Sequence, residues 1–250
     1  MSLWEKFSAI LGRSSVPELE VDLGAVQDII GYHFSDSGIL LLALTHRSYS
    51  YVHNNYSQSN ERLEFLGDSV LGLVIAEQLF RDFPGMREGE LTKTKALLVS
   101  ETTLAELGIK SGLNKYMLLA PEEVRSGGRT RPSIVSDAFE SVLGAVFLDG
   151  GINAARNVII RLIYSCKDDI TSDASRRNFK GELLERIQAK GKGMPHYDIA
   201  SESGPDHDKI FMVEVYVEGK VVGIGKGRSK KEAEQIAAGD ALENLKWSSE

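Results

Sequence analysis

The chain has 250 residues, 42% hydrophobic and 26% charged, which is enough apolar material for one or two packed domains and ordinary for a globular protein. Its single cysteine, Cys166, excludes an internal disulfide framework and a cysteine-ligated zinc site. The net charge of −7 and pI near 5.4 exclude a uniformly basic nucleic-acid binder but not local patches: residues 1–176 carry 23 acidic and 17 basic side chains, residues 177–250 carry 13 and 12.

The N-terminus, Met1 to Phe7, lacks a basic region followed by an apolar run, and no stretch reaches the length of a membrane-spanning helix, so a cytoplasmic chain is expected. Residues 1–25 are set apart as a variable N-terminal extension, and its start, Met1 to Phe7, reads as a short amphipathic helix, a variable addition or a frayed end. From Val26 onward the apolar period is near 3.6 and β-branched alternation is scarce. The pattern predicts helices over 26–31, 36–44, 60–82, 90–110, 112–115, 132–149 and 152–165. Breaks are expected at Asp82–Gly85, at Gly108 and in the loop from Pro121 to Pro132. This is an all-α domain over 26–165.

The helix over 60–82 carries most of the chemistry. At about 100° per residue, Glu61, Glu64 and Asp68 share one face, while Leu63, Leu66, Val70, Leu73 and Val74 fall roughly opposite. Clustered carboxylates repel by a few tenths of a kcal/mol per pair, which a divalent cation would offset. A solvated acidic face is the plain alternative. Phe65 sits among the carboxylates, where the core face cannot cover it, and Gly72 on the same side invites close approach by another element. Downstream, Asp137 and Glu140 form a second acidic pair at i, i+3, with Gly144 on their face and Phe139, Val142, Leu143 and Val146 opposite. If the two helices meet through these faces, the oxygen-rich site suits Mg²⁺ or Mn²⁺. His46 is tempting as a general base; a packed residue at a helix end is the reading preferred here.

Asn60-Glu61-Arg62-Leu63-Glu64-Phe65-Leu66-Gly67-Asp68 resembles the nuclease motif of the ribonuclease III family, and Asp137 to Gly144 resembles its second acidic motif. Thr45 to Tyr49 and Ser126-Gly127-Gly128 are similar to the bacterial members. The resemblance implies a Mg²⁺-dependent endoribonuclease that cuts both strands of double-stranded RNA by metal-activated water. It also implies 5′-phosphate and 3′-hydroxyl ends, short 3′ overhangs, and ribosomal-RNA precursors and structured RNAs as substrates. It assigns Glu64, Asp68, Asp137 and Glu140 to the metal, Asp68 and Glu140 to catalysis, and Glu61 to a supporting role. Mn²⁺ is expected to substitute for Mg²⁺, with no small-molecule cofactor. The family forms a homodimer in which the aromatic at the Phe65 position contacts the partner.

Residues 166–177 are polar and read as a linker. Beyond them the period changes: a helix over 178–190, strands near 195–202, 209–217 and 220–228, and a helix over 229–246 make an α-β-β-β-α domain within 178–247. Glu218-Gly219 suits a tight hairpin turn. Ser229 is a cap whose capping box Glu232 would complete. The segment resembles a double-stranded-RNA-binding domain, most specifically over Gly225 to Gln235. That resemblance implies RNA contacts from Glu185 and Gln188, from Gly204 to His207, and from Lys226, Lys230 and Lys231, recognising A-form shape more than sequence. Around Gly127-Gly128, Arg125, Arg129 and Arg131 read as a basic flexible loop that contacts phosphate or is merely solvated. Two other classes fit parts of the sequence: a non-catalytic RNA scaffold on the same fold, and a metal hydrolase acting on small nucleotides. Intact carboxylates disfavour the first, and the C-terminal domain is unexplained by the second.

Overall fold

The computed structural model describes residues 21–53, 58–173, 178–205 and 208–245. The chain divides at Asp173 and Ala174 into two compact units, each with its own hydrophobic core. The expected architecture is observed: a helical unit, then a three-stranded antiparallel sheet flanked by helices. No helix among the described residues is long and apolar enough to cross a membrane.

In the first unit, α1 (Leu23–Ile30), α2 (Ser37–Ala43) and α3 (Arg47–Val52) each start behind a side-chain cap. Asp22 accepts from the Ala25 N–H at 2.9 Å and Asp36 from the Gly38 N–H at 2.8 Å. The centre is a pair of long helices, α4 (Glu61–Asp82) and a later helix spanning Pro132–Leu162, named α8 below. Leu63, Leu71, Val74 and Ile75 share a core with Phe139, Val142, Leu143 and Val146, all fully or almost fully buried. Each such side chain contributes about 1.5–3 kcal/mol.

Two glycines set how closely this pair approaches. A Cβ on Gly67 would lie 1.8 Å from the Glu140 carbonyl oxygen, and one on Gly144 would lie 2.3 Å from that of Leu63. The backbones are therefore in contact, which only glycine permits. Gly72, read as inviting close approach by another element, is not part of this contact: a Cβ there would meet only the Lys95 side chain, at 3.5 Å. The buried sector of α4 is accordingly rotated by roughly a fifth of a turn toward Glu64 relative to the sequence reading. Leu73, expected in the core, is 60% exposed.

The predicted helix over 90–110 is two helices, α5 (Glu88–Leu98) and α6 (Glu101–Ser111). Ser100 interrupts it by capping the second: its Oγ accepts from the Thr103 N–H at 3.3 Å. Gly108 does not break α6; it is buried there, with Val135 against the site its Cβ would occupy. The loop from Pro121 contains α7 (Pro121–Arg125) and a 3₁₀ turn at Gly128–Thr130, both too short to carry a period. Then comes α8, whose only non-helical backbone is at Gly151, φ 76°, ψ −175°, the expected junction between two helices. Finally, residues read as the start of the linker form α9 (Lys167–Ser172), which buries Ile170 in the first core. Lys167 lies 4.7 Å from the Phe83 ring centre, a cation–π contact that polarity alone conceals.

The second unit runs α10 (Phe179–Ala189), β1 (His196–Ser203), β2 (Ile210–Val217), β3 (Lys220–Gly227) and α11 (Lys230–Asn244), with sheet order β1-β2-β3. Val213, Val215 and Val217 point inward, as their alternation requires. Glu218 and Gly219 both have positive φ, 51° and 75°, the primed hairpin turn. Gly223, Gly225 and Gly227 put bare backbone against Ala233, Ala237 and Ala241 of α11; a Cβ on Gly225 would be 2.1 Å from the Ala233 carbonyl oxygen. Lys226 is thereby held on the outer, exposed face. Ser229 caps α11, accepting from the Glu232 N–H at 3.2 Å. The reciprocal bond goes to the Arg228 N–H at 2.7 Å, one residue before the cap expected for a capping box.

Candidate active site

Tertiary hydrogen bonds fix the start of α4 against α8. The Asn60 N–H donates to the Thr45 carbonyl at 2.8 Å, and the buried Ser141 hydroxyl donates to the Asn60 carbonyl at 3.1 Å. With the Gly67–Gly144 contact, about two turns further along α4 and one along α8, this brings Glu64 opposite Asp137 and Glu140. One oxygen from each of the three carboxylates lies within 4.8 Å of the others.

All three are partly buried, and each is harder to ionise than usual. Burial raises Glu64 first, with the charges of Asp137 and Glu61 adding. Burial also raises Asp137, against a hydrogen bond from Ser136. Glu140 is pushed up to about 8, by burial and then by Asp68, Glu64 and Asp137 in that order. Converging half-buried carboxylates with no nitrogen or sulfur donor fit a hard divalent cation. Glu64, Asp137 and Glu140 would hold it.

The other expected site residues lie around this cluster. Asp68 is exposed and outside the group of three, although its charge is the largest one acting on Glu140. Glu61 accepts from the Ser59 hydroxyl at 2.9 Å and pairs with Arg47 at 3.6 Å. Phe65 is 79% exposed, and Leu73 and Phe80 continue its stripe along α4. His46 is the packed helix-end residue preferred above: its Nδ1 accepts from the Ser48 N–H at 3.2 Å as the cap of α3. Burial pulls its pKa down.

The basic loop proves to be a tied structure. Arg129 donates to the carbonyls of Asn114 and Lys115 at 3.1 and 2.8 Å, and Arg131 pairs with Glu123 at 2.6 Å. Arg131 and Arg47 line a cleft of about 350 Å³ with Glu61, Glu64 and Asp137. Sequence reasoning gave no role to Arg47, Asn60, Ser141 or Gly67, because each acts through a contact with a distant segment.

On the second unit, Glu185, Gln188, Lys226, Lys230 and Lys231 are all exposed. Lys230 lies 3.6 Å from Glu202 and 5.7 Å from the centre of the Phe211 ring. Gly204 has φ 95°, and His207 lies outside the described residues.

Residues 36–166 match the family described as Ribonuclease-III-like, and residues 179–245 match the double-stranded RNA binding motif. A Treponema denticola protein named Ribonuclease 3 is 43% identical over 229 residues, covering 92% of this chain and 93% of the relative. One of the same name from Caldanaerobacter subterraneus is 44% identical over 216 residues, covering 86% and 95%. The solved nuclease domain of the Campylobacter jejuni protein is similar at 39% identity and TM-score 0.54, covering 58% of this chain and 97% of that one. It is described as flexible in a region involved in dimer formation.

Proposed function

This chain belongs to the ribonuclease III family of double-stranded-RNA endonucleases, and we propose that it is Mg²⁺-dependent, cuts both strands, and leaves 5′-phosphate and 3′-hydroxyl ends with short 3′ overhangs. The observation that carries this reading is the convergence of Glu64, Asp137 and Glu140 from two helices within 4.8 Å. A bound Mg²⁺ supplies charge neutralisation at the scissile phosphate and a more acidic water, with Mn²⁺ able to substitute. The side chains contribute the rest. The glycine contact holds Glu64 and Glu140 in register. Burial and the charges of Asp68, Glu64 and Asp137 disfavour the ionised form of Glu140, a penalty that a cation held there would relieve. Asp68, exposed at the rim, completes the carboxylate set and with Glu140 orients the reacting groups.

We assign duplex capture to Glu185, Gln188, the Gly204–His207 loop, Lys226, Lys230 and Lys231. The exposed lysines at the start of α11 support this, since they lie at its positive end. The exposed Phe65, Leu73 and Phe80 stripe, beside a groove of about 490 Å³ at Phe65, Leu66 and Leu148, supports a homodimer with one site for each strand. The expected setting is the cytoplasm, and the expected substrates are ribosomal-RNA precursors and structured messenger RNAs.

The test is cleavage of a long perfect RNA duplex with Mg²⁺, with chelator, and by Glu140→Ala. Metal-dependent cutting by the wild type, and retention of uncut duplex by the variant, is the expected result. Binding without cutting under every condition would leave the carboxylates a structural role and the protein an RNA scaffold.

A further inference from the structure

We propose that Arg47 is an RNA-binding residue of the cleft, held ready by Glu61 and transferred to a backbone phosphate when the duplex arrives. This rests on the endoribonuclease reading and adds to it a contact from the nuclease unit itself. The cluster presents a polyanion with several carboxylates on a chain of net charge −7, so a cation beside them is needed for close approach. Two guanidiniums line the cleft. Arg131 is committed: it donates to Glu123 Oε1 at 2.6 Å and to the Ser126 hydroxyl and carbonyl at 3.1 and 3.4 Å. Arg47 differs. Among the described residues its ion pair is one loose contact, 3.6 Å to Glu61 Oε1, between side chains 64% and 55% exposed.

The backbone around Arg47 is nevertheless fixed on both sides. The His46 N–H donates to the Leu118 carbonyl at 3.0 Å, and the Ser48 hydroxyl accepts from the Ala120 N–H at 3.1 Å. Glu61 is steadied by Ser59. A planar fork on a rigid base, restrained by a single exposed carboxylate contact, exchanges readily for two phosphate oxygens. Arg47 lines the same cleft as Glu64 and Asp137, so its guanidinium is placed to meet a phosphate that enters beside the cluster.

The experiment compares wild type, Arg47→Gln and Arg47→Lys in two readouts. The first is duplex retention with Ca²⁺ in place of Mg²⁺ over a range of salt; the second is steady-state cleavage with Mg²⁺. For Arg47→Gln the slope of log affinity against log salt should become shallower by about one phosphate contact. KM should rise several-fold while kcat stays within about twofold, and Arg47→Lys should restore the slope and part of KM. An unchanged slope, or a fall in kcat at constant KM in both variants, would overturn the assignment and leave Arg47 only a structural partner of Glu61. Wild type that retains the duplex without cutting would instead defeat the endoribonuclease reading, and the slope comparison would still decide Arg47.

Discussion

Gly67→Ala is the perturbation that most directly probes how the carboxylates are brought together. The added Cβ would fall 1.8 Å from the Glu140 carbonyl oxygen, on backbone and not on the end of a movable side chain. Ordinary contact would require α4 and α8 to part by roughly 1.5 Å. Overpacking of this kind costs about 1–3 kcal/mol, more where backbone cannot yield. At about 2–4 °C per kcal/mol for a unit of this size, the melting temperature should fall by roughly 2–12 °C. The same displacement moves Glu64 from Glu140, and an error of about 1 Å in a catalytic geometry costs on the order of a hundredfold in rate. Gly72→Ala, on the same helix, is the control: its nearest neighbours would be Lys95 atoms at 3.5 and 3.6 Å. It should be neutral, or stabilising by up to about 1 kcal/mol through helix propensity. Thermal unfolding and duplex cleavage, measured side by side, give the answer. Should Gly67→Ala melt and cut like the wild type, the backbone contact between the helices is not what sets the site.

Removing the exposed ring with Phe65→Ala should shift the protein from dimer toward monomer in sedimentation and lower cleavage with it; an unchanged sedimentation profile would contradict the dimer contact. Glu140 binds its proton more tightly folded than unfolded, from a usual value of 4.5 up to about 8. Metal-free protein should therefore lose stability as pH rises across that window, and Glu140→Gln should flatten the loss. Protection by Mg²⁺ should grow over the same window, because binding displaces the proton; melting curves at several pH values with and without chelator test both statements. Gly225→Ala places a Cβ 2.1 Å from the Ala233 carbonyl oxygen. It should destabilise the second unit by about 1–3 kcal/mol and weaken duplex retention, while the unfolding transition of the first unit stays where it was.

What the sequence made legible follows from which features are local. The acidic residues of α4 and α8 could be placed on helix faces because their spacing and the helix period are both short-range. The alternation of β2 and the Glu218-Gly219 turn were readable for the same reason. α3 and α7 were not, since six and five residues hold too few turns for a period to register. The division of α5 from α6 depends on one hydroxyl choosing a backbone N–H over solvent, a competition that propensity does not resolve. Nor could polarity disclose α9, whose Ile170 belongs to the first core.

The orientation of α4 is the most instructive difference. A wheel weighted by hydrophobicity turns Leu73 inward, yet Leu73 is exposed while Gly67 is buried and Glu64 half-buried. The face that wins is the one permitting the closest helix contact, because backbone approach at Gly67 and Gly144 lets the flanking leucines and valines of both helices bury together. A single leucine left outside costs less than holding the two helices apart along their length. That rotation has two consequences from one cause. It draws Glu64 to the edge of the interface, where Asp137 and Glu140 await it, and it leaves Phe65, Leu73 and Phe80 as an uncovered stripe. The carboxylate cluster and the apolar surface are thus coupled through the glycine pair, so a variant that relaxes the crossing should disturb both together.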